Sequence, residues 1–176
     1  MHRVLFICHG NICRSPMAEF ILKHITAQKG IAADFSIASA ATSREEIGNP
    51  VHHGTRNKLA QYGISVAGKY ARQITSQDYT NYDYLIAMDS NNLRNIKRII
   101  PNDPKGKVSL LLDYTNRPGQ SIADPWYTGD FDLTYDDIME GLEGFLKHLG
   151  YLFNLSIAKG DDYNCHLLFV LTKFNC

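Results

Sequence analysis

Four short apolar runs, Val4 to Ile7, Phe35 to Ser39, Tyr84 to Met88 and Val108 to Leu112, alternate along this chain with stretches whose apolar residues recur every three or four positions. Runs that are apolar throughout, rather than at every second residue, suit strands buried on both faces. Between the first two, Ser15 and Pro16 stand in the order of a helix cap and first-turn proline, Met17, Phe20, Ile21 and Ile25 repeat at helical spacing, and Gly30 closes the segment. Further helical faces are Leu93, Ile96 and Ile100, with Ser90 as the expected cap, and Ile138, Leu142, Phe145, Leu146 and Leu149. A shorter helix is expected from about Gly54 to Tyr62. Strands alternating with helices imply right-handed crossovers. The predicted fold is therefore α/β, a three-layer sandwich with a four-stranded parallel sheet and helices on both faces.

The charge balance narrows the partners. Among 176 residues, 18 Lys plus Arg face 18 Asp plus Glu, so no global field draws the chain to nucleic acid or to an anionic membrane. An anion must be held by a local device. Val4 to Ile7 is shorter than the roughly 7 to 15 apolar residues of a secretion signal, and Leu167 to Leu171 is shorter than the roughly 18 of a membrane span. A cytoplasmic chain with no membrane partner is expected. Cys8, Cys13, Cys165 and Cys176 read as thiols, because a chain of this size builds its core without disulfides. Neither the Cys8–Cys13 pair nor His52-His53 has a second cluster at zinc-ligand spacing, so no metal site is predicted.

Two segments stand outside the pattern. From Leu112 to Thr134 no strand or helix period is visible, and a loop of that length in a compact domain is usually functional or disordered. The tail, residues 151–176, shows no period or repeat. Asp124 to Glu143 carries seven carboxylates and no Lys or Arg, the pattern of a solvated face or of a surface for basic partners.

The turn after the first strand reads Cys8-His9-Gly10-Asn11-Ile12-Cys13-Arg14-Ser15-Pro16. In a parallel sheet the ligand crevice lies at the carboxyl ends of the strands, where this turn sits. Successive loop N–H groups and the following helix dipole make a cradle for phosphate, with Gly10 and Asn11 the residues best able to take positive φ angles. Cys8 at its entrance would be a thiolate, held so by the N–H groups, the dipole and Arg14. Arg14 would grip two phosphate oxygens bidentately, and the Ser15 hydroxyl would donate to the sulfur. The leaving oxygen needs a proton, and Asp124, stiffened by Pro125, is the best placed carboxyl; the competing reading of Asp124-Pro125 is a simple turn. Trp126 and Tyr127 suit either an aromatic wall or surface packing. His9, His52 and His53 read as solvated. A phosphate-reading module without turnover would use the same cradle, and only trapping without release separates it from an enzyme.

These residues resemble the low-molecular-weight protein-tyrosine phosphatases. The likeness runs from the Cys8–Pro16 loop through Ser39-Ala40-Ala41-Thr42-Ser43, Glu46-Ile47-Gly48-Asn49-Pro50, Ala71-Arg72-Gln73-Ile74-Thr75 and Met88-Asp89 to Asp124-Pro125. It implies a phosphatase domain over residues 1–150, with residues 151–176 an appended tail. It also implies a cofactor-free enzyme acting on phosphotyrosine-containing proteins or peptides, with phosphate or similar oxyanions as product or inhibitor. By the resemblance Cys8 is the nucleophile that forms a phosphocysteine, Arg14 the phosphate ligand and Asp124 the general acid and base. Asn11 holds the loop shape, Ser15 assists Cys8, and Cys13 forms a reversible disulfide with Cys8 under oxidants. Gly10, Ile12, Trp126 and Tyr127 complete the substrate site.

The chain departs from the pattern at three places. Glu45 stands where relatives often carry an aromatic rim residue, which is expected to favour basic residues near the phosphotyrosine. Trp126 replaces a commoner Tyr, and the tail exceeds the usual length. Ile12 points toward phosphotyrosine, since arginine phosphatases of this fold carry Thr there. Arsenate reductases that share the cradle need a further cysteine pair, and none lies between Cys13 and Cys165.

Overall fold

A computed structural model describes residues 1–152. Residues 153–176, with Cys165, Cys176 and nearly all of the tail, lie outside the described residues. The elements run β1 (His2–Cys8), α1 (Arg14–Gln28), β2 (Phe35–Ala41), α2 (His53–Ala60), α3 (Asp78–Asn81), β3 (Tyr84–Ala87), α4 (Ser90–Ile99), β4 (Val108–Leu110), α5 (Pro125–Thr128) and α6 (Phe131–His148). The four strands are all parallel, in the order β2-β1-β3-β4. The α/β sandwich expected from the sequence is the fold observed, with strand ends displaced by a few residues.

Each strand residue alternates between two cores because side chains on a strand point to opposite faces. Val4, Phe6 and Cys8 face a core built with α1 and α6, while Leu5 and Ile7 face a second core with Ile96 of α4 and Ile100 just after it. Burial on both faces is why the strands carry no polar alternation. In α1, Met17, Ile21, Leu22 and Ile25 lie within the first core. Each such side chain contributes roughly 1.5–3 kcal/mol on burial. Pro16 is tolerated because the first-turn N–H groups have no helical partner. Gly144 of α6 sits where a Cβ would overlap the Tyr114 carbonyl, so the helix packs there by backbone alone.

The order places β1 between the strands that precede and follow the crossover from one face to the other. The chain leaves β1 toward β2 on one side, and β3 lies on the other, so the carboxyl end of β1 opens at the topological switch point. Cys8 is the last residue of β1, paired in register with Ala41. The geometry of the sheet thus delivers one sulfur to the crevice.

Four sequence expectations are corrected. Ser15 is not the cap of α1: the helix starts at Arg14 behind Cys13, and the Ser15 hydroxyl turns inward to Cys8. Ser90 is not the cap of α4, because the Asp89 side chain accepts from the Asn92 N–H at 2.6 Å. The span Leu112 to Thr134 is not one irregular loop. A 3-10 turn at Leu111–Tyr114, helix α5 and the first turns of α6 occupy much of it. Elements of four residues have too few positions to show a period. The acidic stretch is also less bare than it reads, since Arg117 pairs with Asp137 and Glu140 and Lys58 with Asp132.

Among the described residues no helix is long and apolar enough to cross a membrane. Beyond Gly150, the Tyr151 ring packs on Phe35 at 5.5 Å and on His2 at 6.1 Å, and its hydroxyl donates to Asp34 at 3.1 Å.

Candidate active site

The loop from Cys8 to Arg14 closes because one residue takes a left-handed backbone. Asn11 has φ 59° and, among the described non-glycine residues, is the one with positive φ. Gly10 does not share that conformation, contrary to expectation. A Cβ there would stand 3.0 Å from the Glu46 side chain, which would have to give by a few tenths of an ångström. The Asn11 side chain then fixes the loop. Its Oδ1 accepts from the Arg72 N–H at 3.2 Å, so Nδ2 must be the donor to Ser15 Oγ at 2.9 Å and to Ser39 Oγ at 2.7 Å.

That assignment makes Ser15 Oγ an acceptor from Asn11, leaving its own hydrogen for Cys8 Sγ at 3.1 Å, with the Ala40 carbonyl a longer alternative at 3.5 Å. The Asn11 N–H also points at Cys8 Sγ, at 3.3 Å. The Ser15 hydroxyl and the Asn11 N–H thus both meet the sulfur. On the far side, Ser39 donates to the buried Glu19 at 2.5 Å. Glu19 also holds Lys23 at 2.5 Å and Lys69 at 3.0 Å. Burial alone would raise the Glu19 carboxyl, but Lys69, Lys23 and Ser39 outweigh it and hold the group below its ordinary value.

Arg14 is 2% exposed and anchored on three sides. Nη1 donates to Asp89 at 2.6 Å and to the Ile122 carbonyl at 2.9 Å, and Nη2 donates to Asp124. Its Nε is buried without a partner among the described residues. Of the five guanidinium donors, Nε–H and one Nη2–H are thus left over.

Cys13 is a buried residue of the same loop and lines the cavity over Cys8. Burial first, then the neighbouring Cys8 and Asp124, push its thiol up to about 12. Among the described residues Cys8 and Cys13 are free thiols.

Asp124 caps α5, its Oδ1 accepting from the Trp126 N–H at 3.1 Å. It stands with Trp126, Tyr127, Ile12, Glu45 and Glu46 around a cavity of about 120 Å³ over Cys8. Trp126 is 56% exposed and Tyr127 83%, so both rings flank the opening instead of filling a core. His52 is not simply solvated: it stacks on Phe131 at 5.4 Å, meets the Trp126 edge at 5.6 Å, and caps α2 through Nδ1. It buttresses the aromatic wall from behind. Glu45 is exposed and bonded to His9 at 3.1 Å.

Against known proteins, a family model described as low molecular weight phosphotyrosine protein phosphatase matches residues 3–152. The chain belongs to this family. It is 40% identical over 150 residues to the low molecular weight protein-tyrosine-phosphatase YfkJ of Bacillus subtilis, spanning 85% of this chain and 96% of that one. The crystal structure of YfkJ superposes with a TM-score of 0.81 at 39% identity, covering 85% of this chain and 95% of that one. The rat low molecular weight phosphotyrosine protein phosphatase is 36% identical over 148 residues, 82% of this chain and 93% of its own. A Drosophila arginine phosphatase structure matches at 33% identity with a TM-score of 0.76, covering 83% of this chain and 96% of that one.

All the expected site residues, Cys8, Gly10, Asn11, Ile12, Cys13, Arg14, Ser15, Glu45, Asp124, Trp126 and Tyr127, gather at this one crevice of the phosphatase fold. Sequence reasoning missed Asp89, Glu46, Glu19, Ser39 and His52 as parts of it. Asp89 follows the apolar run of β3 and so stands, like Cys8, at a strand's carboxyl end, which was the available signal. Nothing local marks Glu19, which sits within a helix and acts through contacts with other elements.

Proposed function

We propose that this protein is a protein-tyrosine phosphatase that hydrolyses phosphotyrosine through a phosphocysteine intermediate. The observation that carries the reading is Cys8 Sγ, met by Ser15 Oγ at 3.1 Å and the Asn11 N–H at 3.3 Å, at the floor of a cavity whose rim holds Asp124. Cys8 as thiolate attacks phosphorus, and the bond to the tyrosyl oxygen breaks. Asp124 as carboxylic acid gives its proton to that oxygen. Water then attacks phosphorus, its proton passes to the Asp124 carboxylate, the S–P bond breaks, and phosphate leaves with the thiolate restored. Arg14 supports both steps through its unused Nε and Nη2 hydrogens, which suit two equatorial oxygens as charge redistributes. The step uses no cofactor.

Residues 1–150 form the catalytic unit in this reading, with residues 151–176 appended, in a reducing cytoplasmic setting. Ile12 and the Trp126–Tyr127 flanks favour an aryl phosphate, and Glu45 with Glu46 favours basic residues beside it. Under peroxide, Cys8 becomes a sulfenic acid, and attack by the Cys13 sulfur expels water to give a disulfide that thiols reduce.

The test is hydrolysis of para-nitrophenyl phosphate and phosphotyrosine peptides against pH by wild type, Cys8→Ser and Asp124→Asn, with and without peroxide and then a thiol reductant. The expected result is no turnover in Cys8→Ser, a fall on the order of 10²–10⁴-fold in Asp124→Asn, and reversible silencing of wild type. A wild type that binds phosphopeptide but never releases phosphate overturns the enzyme reading in favour of a binding module. Faster hydrolysis of phosphoarginine than of phosphotyrosine overturns the substrate.

A further inference from the structure

A second cleft, about 470 Å³, adjoins the cavity over Cys8 and shares His9, Asp124 and Tyr127 with it. Its outer wall is one face of α4. Asn91, Arg94, Asn95 and Arg98 stand there at spacings of three and four residues, the positions that neighbour each other on a helix. Arg94 donates to Asn91, and Arg98 donates to Asn95 at 3.2 Å. Both arginines are exposed, and among the described residues neither forms an ion pair. The two carboxylates of the cleft, Asp89 and Asp124, are both engaged by Arg14. The uncompensated charge of this wall is therefore positive, whereas Glu45 and Glu46 line the other cavity.

We infer that the Arg94–Arg98 cleft is a subsite for an acidic side chain flanking the phosphotyrosine of a peptide substrate. The inference rests on the phosphatase reading above and deepens it by naming the substrate's charge pattern. An extended peptide advances about 3.3 Å per residue, so a residue one or two places from the phosphotyrosine comes within reach of a cleft that borders the cavity directly. Each guanidinium presents a fork that fits a carboxylate, and an amide beside each arginine holds that fork in place. Both groups are exposed, so the preference is modest and sensitive to salt.

The test compares kcat/KM for phosphotyrosine peptides carrying two Asp, two Ala or two Lys on the amino-terminal or the carboxyl-terminal side. Wild type is set against the Arg94→Glu plus Arg98→Glu variant and against Lys97→Glu, an exposed position on the same helix that does not line the cleft. Expected is a preference of about three- to tenfold for Asp over Ala on one flank, lost or reversed in the double variant, kept in Lys97→Glu, and shrinking as salt rises. No Asp preference on either flank, a preference that survives the double variant, or an equal loss in Lys97→Glu overturns the inference. The same peptide ranking, read as affinity by fluorescence anisotropy with Cys8→Ser, decides it even if wild type proves to have no turnover. Failure of para-nitrophenyl phosphate hydrolysis by wild type counts only against the enzyme reading.

Discussion

Arg14 and Asp89 are joined by an Nη1 to Oδ2 bond of 2.6 Å, with the arginine 2% exposed and the aspartate side chain 17%. The same carboxylate caps α4 through its other oxygen. One residue thus ties Arg14, the first residue of α1, to the helix that follows β3.

This double duty separates two substitutions. Asp89→Asn keeps an oxygen for the cap and removes the charge, whereas Asp89→Ala removes both and leaves a buried guanidinium short of a partner. Removing one member of a buried pair costs about 3 kcal/mol, and a lost cap adds about 1 kcal/mol. Urea unfolding is expected to place Asp89→Ala about 1 kcal/mol below Asp89→Asn. Both are expected to raise KM for para-nitrophenyl phosphate, because Arg14 loses the contact that aims it.

Asn11 combines a backbone conformation with a side-chain network, and two variants divide them. Asn11→Gly keeps the positive φ without strain but deletes the bonds to Ser15, Ser39 and Arg72. Asn11→Ala deletes the bonds and adds strain of about 1 kcal/mol. Activity is expected to fall at least tenfold in both, since Ser15 loses the donor that orients its hydrogen toward Cys8. The difference between them should appear in unfolding midpoints. Equal stability of the two variants would show that the left-handed backbone is not what Asn serves here.

The strands and the turn that follows the first of them were readable because each is a run of residues adjacent in sequence. A strand, a turn and a helix in succession carry all of Cys8 to Ser15. The misreadings are equally physical. Ser15 ahead of Pro16 satisfies every local rule for a cap, yet tertiary contacts claim its hydroxyl, since Cys8 and Asn11 both reach it. Asp124-Pro125 is the cap and first residue of α5, but a helix of four residues leaves no period to detect. Glu19, Ser39 and Lys69 come from three separate parts of the chain, so no spacing could join them.

Glu19 gives an acid-side signature. Its carboxyl is held below its ordinary value of 4.5 by Lys69, Lys23 and Ser39 in spite of burial. A group with a lowered folded value contributes stability above its unfolded value, and that contribution is lost as pH falls below about 4.5. Glu19→Gln is expected to cost about 3 kcal/mol at neutral pH, because Lys69 remains largely buried without its countercharge. Between pH 5 and pH 3 (roughly the window set by the ordinary Glu value) wild type should lose stability more steeply than the variant. Parallel acid limbs in denaturant titrations would remove the ion-paired state of Glu19 from the account.

Cys13 gives the opposite signature at alkaline pH. Burial, then Cys8 and Asp124, raise its thiol from an ordinary 9.0 to about 12, while Arg14 and Thr55 act the other way. The folded state therefore holds this proton over a range in which the unfolded chain releases it. Stability linked to Cys13 is fully present below about 9 and is lost as pH rises from there toward 12. One pH unit within the window corresponds to about 1.4 kcal/mol, so by pH 10.5 the loss is roughly 2 kcal/mol. Buried tyrosines contribute with the same sign, because the Tyr135 and Tyr114 hydroxyls are also raised by burial. Comparing wild type with Cys13→Ala removes that shared background. The variant is expected to be less stable at pH 7 from lost packing, but its midpoint in urea should decline less between pH 8.5 and pH 10.5, roughly the onset and middle of the window. At pH 7, by the same argument, a soft alkylating agent should label Cys8 and leave Cys13 untouched until the protein unfolds, which peptide mapping after brief treatment reads directly. Prompt modification of Cys13 in the folded protein would show that this buried thiol is neither shielded nor held neutral.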